Sequence, residues 1–479
     1  MRRLSGLLVG TWAAVSLANT PRERKVKQAP LARIDLPVDR IPDRWYNVLP
    51  DLPRAPDELL DPKSGKPLSQ DYLERLLPRA LAAQERSLER WISVPDEVAA
   101  GYRMWRPTPV YRAHALEREL DTPAEIYFKY EGESPSGSHK LNSALAQAYY
   151  AKQEGVRRLV TDTGAGQWGT ALALAGALMG IEVTVYMVRA SYHHKPGRRH
   201  LMETFGATVL PSPGEFTNVG RFFLNEDPDH PGSEATAVSE ALEVVYSDPE
   251  SRFAMGAFAN HVLLHQTLIG LEAREQLELV DREPDYLVAS LGCGSNMGGL
   301  ALPWVSDKLN GRELTILAAE PEACPTLTGG EYRWDFADAS GTGPLARTYT
   351  LGHDFVPPPI HAGGLRYHGA APLAGLLRAE GLLDAIAYPQ NEVFKAGSLF
   401  ARLTGFLPAP ETAHAIRAVI DVAQECKEQG RKATILFCYS GHGLLDLGAY
   451  GKFNAGELQD VETMAESLKA ASSETGVPA

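Results

Sequence analysis

From about residue 106 onward, short apolar runs typical of β-strands alternate with longer runs typical of helices. The strand-like runs include EIYFKYEG, RRLVTDTG, VTVYMV, ATVLPS, DYLVASLG, LTILAAEP, DAIAYPQ and TILFCYSG. The helix-like runs include TALALAGALMG, SEATAVSEALEVVYS and ETAHAIRAVIDVAQECKEQG. This alternation predicts an α/β protein with largely parallel sheets. In such sheets, ligands bind at the loops that follow the carboxyl ends of the strands.

Changes in composition and pattern along the sequence divide the chain into five segments. The arm that precedes the α/β region is rich in proline and charge, and its one clear helix is predicted around LERLLPRALAAQERSLERWI. We predict a signal-like or disordered extension at 1–30, an N-terminal arm at 31–105, an N-terminal α/β domain at 106–260, a C-terminal α/β domain at 261–455 and a tail at 456–479.

The first residues have a basic start, an apolar stretch from Leu4 to Ala18 and small residues at Ser16 and Ala18. This pattern fits a secretory signal, and a mis-chosen start codon or an unstructured extension fits it as well. We expect a cytoplasmic protein, with export left open by this segment.

Composition and charge exclude several classes of protein. The formal net charge of −13 argues against nucleic acid or an anionic membrane as the main partner. After the first thirty residues, no segment has the roughly 18 apolar residues that a membrane span needs. The four cysteines lack the spacing of a metal site, so we expect reduced thiols and no bound metal.

Two glycine-rich loops follow predicted strands, GCGSNMGG at 292–299 and TGAGQWG at 163–169. Backbone N–H groups in such turns bind small anions together with the helix N-terminus that follows. The first loop is neither a P-loop nor a clean dinucleotide motif, so a single phosphate fits it best. The second loop is predicted to hold a carboxylate. A plain tight turn also explains either loop taken alone.

Lys140 stands in the segment GSHKLNS, at the predicted start of a helix. Taken alone, it is most simply a surface cation. A buried lysine near a helix N-terminus has a lowered pKa, which suits Schiff-base formation with an aldehyde. Next to a phosphate-binding loop, Lys140 therefore predicts pyridoxal 5'-phosphate as the cofactor. Ser440, in YSGHG, would then face the pyridine nitrogen with a hydroxyl, which tolerates elimination from the β carbon and disfavours transamination.

Seven segments in chain order resemble the tryptophan synthase β chain family. They are RPTPVYRAHALE, KYEGESPSGSHKLN, TGAGQWGTALA, GSNMGG, TLGHDFVPPPIHAGGLRYHG, PAPETAHA and LFCYSGHGLLDL. The resemblance implies the fold-type II pyridoxal-phosphate architecture, with two three-layer α/β domains and the cofactor between them. More narrowly, the segments resemble the divergent second branch of the family, which implies a homodimer that does not require an α subunit.

The activity implied by this resemblance is that of a carbon–oxygen lyase, which joins L-serine and indole through an aminoacrylate to give L-tryptophan and water. The alternative is a related enzyme of the same fold, such as a serine or threonine dehydratase or another β-substituting synthase with a non-indole acceptor. Measuring pyruvate against tryptophan separates the two.

The resemblance also implies roles for individual residues. Lys140 would hold the cofactor and move the substrate Cα proton, Asp162 would take the place of a catalytic glutamate, and Ser440 would bind the pyridine nitrogen. The remaining cofactor-binding residues would be His139, Gly292, Gly294, Ser295, Asn296 and Glu411. The substrate carboxylate would be held by Thr163, Gly164, Ala165, Gly166 and Gln167.

The sequence departs from the family pattern at several positions in this site. Asp162 stands where the family has a glutamate, so its carboxylate lies one methylene further back, and we expect slower indole condensation. Cys293 replaces a glycine of the phosphate loop, where a side chain demands an ordinary φ and crowds the turn. CYSG, with Cys438 and Tyr439, stands where NLSG is usual.

Arg366 stands where the main branch has an acidic residue facing the serine hydroxyl. An arginine can bind an anionic leaving group bidentately, which leads to the hypothesis that O-phosphoserine is accepted as a donor. A structural salt bridge is the competing interpretation.

Overall fold

The apolar runs of the sequence form the strands of two separate parallel arrays. The computed structural model describes residues 31–461, so the predicted extension at 1–30 and the tail from 462 onward lie outside the described residues. The strands are β1 (Ala32–Ile34), β2 (Arg44–Tyr46), β3 (Trp91–Ser93), β4 (Val110–Arg112), β5 (Glu125–Tyr130), β6 (Arg158–Thr163), β7 (Glu182–Val188), β8 (Thr208–Ser212), β9 (Ser251–Phe253), β10 (Tyr286–Ser290), β11 (Thr315–Pro321), β12 (Glu331–Phe336), β13 (Leu345–Thr350), β14 (Asp384–Tyr388) and β15 (Thr434–Tyr439).

Helices connect most of these strands and cover both sheets. The α-helices are α1 (Gln70–Leu76), α2 (Arg79–Glu85), α3 (Asp96–Tyr102), α4 (His114–Leu120), α5 (Leu141–Gln153), α6 (Gln167–Met179), α7 (Arg189–His194), α8 (Pro196–Thr204), α9 (Asn218–Glu226), α10 (Glu234–Ser247), α11 (Asn260–Gln266), α12 (Leu268–Glu278), α13 (Ser295–Leu309), α14 (Thr326–Gly329), α15 (Pro372–Ala379), α16 (Gln390–Thr404), α17 (Pro410–Glu428) and α18 (Leu447–Asn454). Short 3-10 helices span Val38–Arg40, Leu49–Asp51, Glu131–Glu133 and Gly363–Leu365.

The larger sheet has seven strands in the order β1-β4-β5-β15-β10-β11-β14. Its five strands from β5 to β14 are parallel, and β4 and β1 add an antiparallel edge. In the middle of the sheet, Glu125 of β5 is paired with Thr434 of β15. All six residues of β15 are buried, which is why TILFCY reads as a continuous apolar run.

The two faces of the larger sheet pack against different helices. Leu436 of β15 belongs to the core cluster that contains Trp304 of α13, whereas Phe437 belongs to the cluster that contains Ile416 of α17. Successive strand residues point to opposite faces, so one apolar strand serves both layers. The sheet therefore has helices on both sides, as the sequence pattern predicts.

The smaller sheet has four parallel strands in the order β8-β7-β6-β9 and uses residues 158–253 only. Two antiparallel pairs, β2 with β3 and β12 with β13, complete the strands. Because β4 and β5 belong to the larger sheet, strand pairing does not follow the boundaries predicted at residues 106 and 260. The division of the chain into domains at those positions stays a prediction.

The helix predicted around residues 73–92 is wrong as a single element. The structure has two short helices, α1 and α2, which are interrupted at Leu77 and Pro78, and the segment ends in strand β3. Leu77 is extended, with φ −117° and ψ 154°, as expected for a residue before proline. Pro78 breaks the helix because it lacks the backbone donor that a helix interior needs.

The four cysteines, Cys293, Cys324, Cys426 and Cys438, are buried and form no disulfide. Across residues 31–461, the structure has no helix with the length and apolar character needed to cross a membrane.

Candidate active site

A cavity of about 130 Å³ lies where the carboxyl ends of strands from both sheets meet. Residues 162–165 and Gln167 contribute from the end of β6 and the start of α6, and Ser290 and residues 292–296 from the end of β10 and the loop to α13. The segment before α5 and the segment after β15 close it. The four loops singled out in the sequence therefore converge on one site.

Lys140 lies directly before helix α5 and extends into this cavity. Its Nζ donates to the backbone oxygen of Gly256 (2.5 Å) and to Ser295 Oγ (2.7 Å). Burial lowers the pKa of the amine, although the nearby Cys293 and Glu234 act in the opposite direction. A lowered pKa increases the fraction of neutral amine, which is the form that attacks a carbonyl group.

The glycine-rich loop at 292–299, which is predicted to bind a phosphate, is tightly packed against a second loop around Gly364. A Cβ added to Gly292 would lie 2.5 Å from the Gly364 carbonyl oxygen, and Gly294 has a φ of +124° that favours glycine. Cys293, between them, is not among the residues with positive φ, and its side chain packs against Ala235 and Tyr367. The ordinary φ predicted for Cys293 is therefore present in the turn.

His139 connects the lysine to the strand end at Ser440. Its Nδ1 lies 3.2 Å from the Ser440 carbonyl oxygen, which only accepts, so Nδ1 carries the proton. Its Nε2 lies 3.1 Å from Ser295 Oγ and accepts from that hydroxyl. Burial lowers the pKa of His139 to about 3, so the imidazole is neutral. Lys140, Ser295 and His139 thus form a continuous line of hydrogen bonds.

Ser440 and Glu411 approach the cavity from its other side. Ser440 Oγ forms a 2.7 Å hydrogen bond with Thr412 Oγ1, which fixes the position of the hydroxyl. Glu411 Oε1 accepts from the Gly364 N–H at 2.9 Å, and its buried Oε2 has no hydrogen-bond partner among the described residues.

The second glycine-rich loop joins β6 to α6. Thr163 Oγ1 accepts from the Gly169 N–H (3.2 Å), and Gly166 has a φ of +101° directly before the first helical residue, Gln167. The N–H groups in the first turn of a helix have no partner within the helix. This arrangement suits the carboxylate that the sequence predicts here.

Two carboxyl groups lie in the cavity wall beside Lys140. Burial raises the pKa of Asp162 to about 7. Burial and the charge of Asp162 raise the pKa of Glu234, the first residue of α10, to about 8. Such pKa values near neutrality are typical of groups that transfer protons.

Of the predicted site residues, all but two line the cavity. Gly166 lies behind the loop, where an added Cβ would be 2.9 Å from Arg198 Cβ. Arg366 is buried, its Nη2 donates to the Pro357 carbonyl oxygen (2.6 Å), and its Nε has no partner among residues 31–461. Arg366 itself does not line the cavity, although its charge acts on Glu234, which does.

Comparison with known proteins agrees with this geometry. A family model described as pyridoxal-phosphate dependent enzyme matches residues 103–441. Tryptophan synthase beta chain 2 of Thermotoga maritima is 55% identical over 417 residues, which cover 87% of this chain and 99% of that protein. The protein of the same name from Pyrococcus abyssi is 54% identical over 432 residues, which cover 90% and 98%. The chain belongs to the tryptophan synthase β chain family. The family predicted from the seven segments is therefore confirmed.

Solved structures with low sequence identity have the same fold. Maize serine racemase matches with a TM-score of 0.53 and 19% identity, covering 76% of this chain and 97% of the racemase. A fungal L-serine ammonia-lyase from Rhizomucor miehei matches with a TM-score of 0.55 and 15% identity, covering 73% and 98%. The predicted fold-type II pyridoxal-phosphate architecture is confirmed.

The side chains of this tryptophan synthase β family member fit the cofactor. Asn296 Oδ1 and Glu411 Oε2 are buried without partners among the described residues, so polar groups remain available to a ligand. Lys140 supplies an amine in the same cavity. The donor set matches a phosphorylated aldehyde with a pyridine ring.

Sequence reasoning missed Glu234, the Gly256 carbonyl group and Thr412. Glu234 follows Ser233, whose side chain accepts from the Thr236 N–H in a capping box, so the sequence signal there is that of an ordinary helix start. A backbone carbonyl leaves no mark in the sequence. Only the structure brings Glu234 and the Gly256 carbonyl group to the amine of Lys140, and Thr412 to the hydroxyl of Ser440.

Proposed function

We propose that this protein joins L-serine and indole to give L-tryptophan and water, with pyridoxal 5'-phosphate as its cofactor. The observation that carries the proposal is the position of the Lys140 amine, which lies in one cavity with the two glycine-rich loops and is hydrogen-bonded to Ser295. The identity to tryptophan synthase beta chain 2 of Thermotoga maritima, 55% over 417 residues, supports it.

The cofactor would be held at three points of the cavity. Lys140 would bind its aldehyde carbon, Ser440 would face its ring nitrogen, and Glu411 would lie beside the ring. When bound, pyridoxal phosphate supplies an aldehyde for the substrate amine and a ring that accepts electrons from the substrate Cα. The phosphate would be bound by Gly292, Gly294, Ser295 and Asn296, with His139 beside them.

Lys140 removes the Cα proton of serine and returns it at the end of the reaction. Its lowered pKa favours the neutral amine that accepts this proton. Ser295 accepts a hydrogen bond from Nζ and donates to the neutral His139, so the amine keeps one orientation while its charge changes. Through these hydrogen bonds the protein positions Lys140, the base of the reaction.

The loop after β6 would orient serine. Thr163, Gly164, Ala165 and Gln167 line the cavity in a turn that ends in the helix α6, and they would bind the substrate carboxylate. Fixing the carboxylate fixes the direction of the Cα–H bond relative to Lys140, which is worth several orders of magnitude in rate for a positioned reaction.

The remaining wall of the cavity is apolar and would accept indole. It contains Val238, Phe253, Met255, Phe258 and Tyr367. An apolar wall binds an aromatic acceptor and excludes water, which otherwise would divert the serine carbon skeleton to pyruvate.

Product analysis tests the proposal. The purified protein, loaded with pyridoxal phosphate, is given serine with and without indole, and tryptophan and pyruvate are measured. We expect tryptophan as the main product with indole, and a Lys140→Ala variant should lose both the cofactor absorbance band and the activity. Pyruvate as the main product with indole present would instead identify a dehydratase.

O-Phosphoserine is proposed as a second donor, with Arg366 as the group that would bind the released phosphate. The same assay run with phosphoserine tests this. An Arg366→Lys variant should lose phosphoserine turnover more than serine turnover, and no turnover of phosphoserine by the unaltered protein would reject the idea.

The active assembly is proposed to be a homodimer that needs no α subunit. The support is the resemblance to the second branch of the family. Light scattering of the purified protein should give twice the chain mass, and tryptophan formation from added indole should proceed without a partner protein. A monomer, or activity only on addition of an α subunit, would contradict this.

A further inference from the structure

A second carboxylate reaches the cavity from helix α10. Ser233 caps this helix, and the reciprocal bonds between Ser233 and Thr236 fix its first turn. Glu234 is the first helical residue, and its side chain lines the cavity together with Asp162 and Lys140. A fixed helix start therefore holds this carboxylate in place.

The position of Glu234 is adjacent to the loop that would hold the substrate. A Cβ on Gly164 would collide with Glu234 Oε1 and would lie 2.6 Å from the Gly363 carbonyl oxygen. The carboxylate therefore touches the backbone of the substrate loop, and only glycine fits at residue 164.

The two carboxylates have no side-chain partner among the described residues. Within residues 31–461, no hydrogen bond or ion pair to another side chain is formed by the Glu234 or the Asp162 carboxylate. The charged and titratable groups that act on Glu234 come from different elements: Asp162 from β6, Lys140 before α5, Cys293 after β10, Cys324 after β11, Arg366 and Tyr367 after the 3-10 helix Gly363–Leu365, and Glu411 from α17. A half-buried carboxylate that lines a ligand cavity without a side-chain partner is a group available to a substrate.

We propose that Glu234 is a second acid–base residue of the β-replacement reaction, which supplies the proton for the departing serine hydroxyl and takes back the proton that indole C3 releases. This proposal rests on the proposed function. Asp162 is the neighbour whose negative charge keeps that proton on Glu234.

The proton balance closes over one turnover. The Cβ–O bond breaks with its electron pair on oxygen, the oxygen takes the Glu234 proton, and water leaves. The C3–Cβ bond then forms with the π electrons of indole, and the C3 proton passes to the Glu234 carboxylate. Lys140 removes and returns the Cα proton, so serine and indole give tryptophan and water and the protein is unchanged.

The electrostatics agree with this division of roles. Two carboxyl groups that share a buried site hold one proton more tightly than either would alone. Burial and Asp162 raise the pKa of Glu234 to about 8, and burial raises that of Asp162 to about 7. At neutral pH the pair therefore retains a proton, although the charges of Lys140 and Arg366 act on the pKa of Glu234 in the opposite direction.

Steady-state kinetics of the holoenzyme with the Glu234→Gln variant test the proposal. The matched control is Glu243→Gln, which alters a glutamate on the outer part of the same helix. We expect kcat for tryptophan synthesis to fall on the order of 100-fold in Glu234→Gln, with a smaller change in the KM for serine, and to stay unchanged in Glu243→Gln. Because Glu234 must carry a proton to protonate the departing hydroxyl, kcat of the unaltered protein should fall at alkaline pH. This fall should be absent in Glu234→Gln.

A second variant examines the partnership with Asp162. Asp162→Glu extends the neighbouring carboxylate by one methylene. In the Glu234→Gln background it should raise kcat at least about 10-fold, and in the unaltered protein its effect on kcat should be smaller. A merely structural role for Glu234 predicts no such rescue.

Infrared difference spectra between about pH 6 and about pH 9 give a readout that is independent of activity. The holoenzyme should lose a protonated-carboxyl band that Glu234→Gln lacks and Glu243→Gln retains, while cofactor absorbance stays equal in all three. Unchanged kcat and pH profile in Glu234→Gln, in a protein that makes tryptophan, would overturn the inference. If the unaltered protein makes no tryptophan, the proposed function fails instead, and the infrared band still reports whether Glu234 holds the proton.

Discussion

Two adjacent residues of the glycine-rich loop at 292–299 differ in whether their position can accept a side chain. Gly292 faces the Gly364 carbonyl oxygen so closely that a methyl group would have to displace backbone. Cys293 has an ordinary φ and packs its side chain on Ala235 and Tyr367. The loop therefore needs glycine for close approach at residue 292, whereas residue 293 accepts a side chain without strain.

Gly292→Ala should weaken cofactor binding, and Cys293→Ala should not. The added Cβ, 2.5 Å from the Gly364 oxygen, shifts the loop and misplaces its N–H groups, so we expect the dissociation constant of pyridoxal phosphate to rise about 10- to 100-fold. Cys293→Ala should change it by less than about threefold. Titration of the cofactor-free proteins followed by absorbance measures both, and equal effects would contradict this account of the loop.

At the scale of elements, an ion-pair cluster ties the layer of the smaller sheet to the end of the larger one. Asp446, after β15, accepts from Lys195 Nζ (2.8 Å) and Arg198 Nη2 (3.2 Å), the second of which belongs to α8. Burial alone would raise the pKa of Asp446, but the two cations keep it below its usual value. Lys195 also donates to the His361 carbonyl oxygen, so the link has two points of attachment.

Asp446→Asn should destabilise the protein by about 3–5 kcal/mol, because two buried cations would lose their counter-charge. Glu97→Gln, which removes an exposed ion pair with Lys152, is the control and should cost less than about 1 kcal/mol. Denaturant unfolding of the two holoenzymes measures the difference. A loss for Asp446→Asn as small as that of the control would show that the cluster contributes little to stability.

Element types could be predicted from the sequence, whereas their partners could not. The apolar run TILFCY fixes β15 as a buried strand, but nothing local indicates that its neighbour is β5. Pro78 carries the signal that splits the predicted helix, whereas the leucines on both sides of it favour a continuous one. The lysine and both loops of the site were found by residue type, while Glu234 was not, because a glutamate at a helix start usually serves the helix.

At the scale of the whole molecule, the carboxylates of the site cost stability when they ionise. Because the pKa values of Asp162 and Glu234 in the folded protein are about 7 and about 8, the folded state binds more protons than the unfolded state between about pH 4 and about pH 8. The favourable contribution is complete at low pH and is lost progressively as the pH rises through this range and past the folded-state values.

The cofactor-free protein should therefore become less stable between about pH 6 and about pH 9, and Asp162→Asn should flatten this dependence. At the upper pH we expect the variant to be more stable than the parent by about 2 kcal/mol, which is a rise in Tm of a few degrees for a chain of this length. Thermal unfolding at several pH values tests this. Parallel pH dependences for the two proteins would show that ionisation of Asp162 costs the fold nothing.

The pairing of β5 with β15 also governs the order in which the chain can assemble during synthesis. Glu125 finds its partner Thr434 only after some 300 further residues have left the ribosome, so the centre of the larger sheet stays open until β15 has been synthesised. The smaller sheet, contained in residues 158–253, can form long before that. Because Ser440 comes directly after β15, the site is among the last parts of the molecule to form, and a nascent chain carries its lysine without being able to use it.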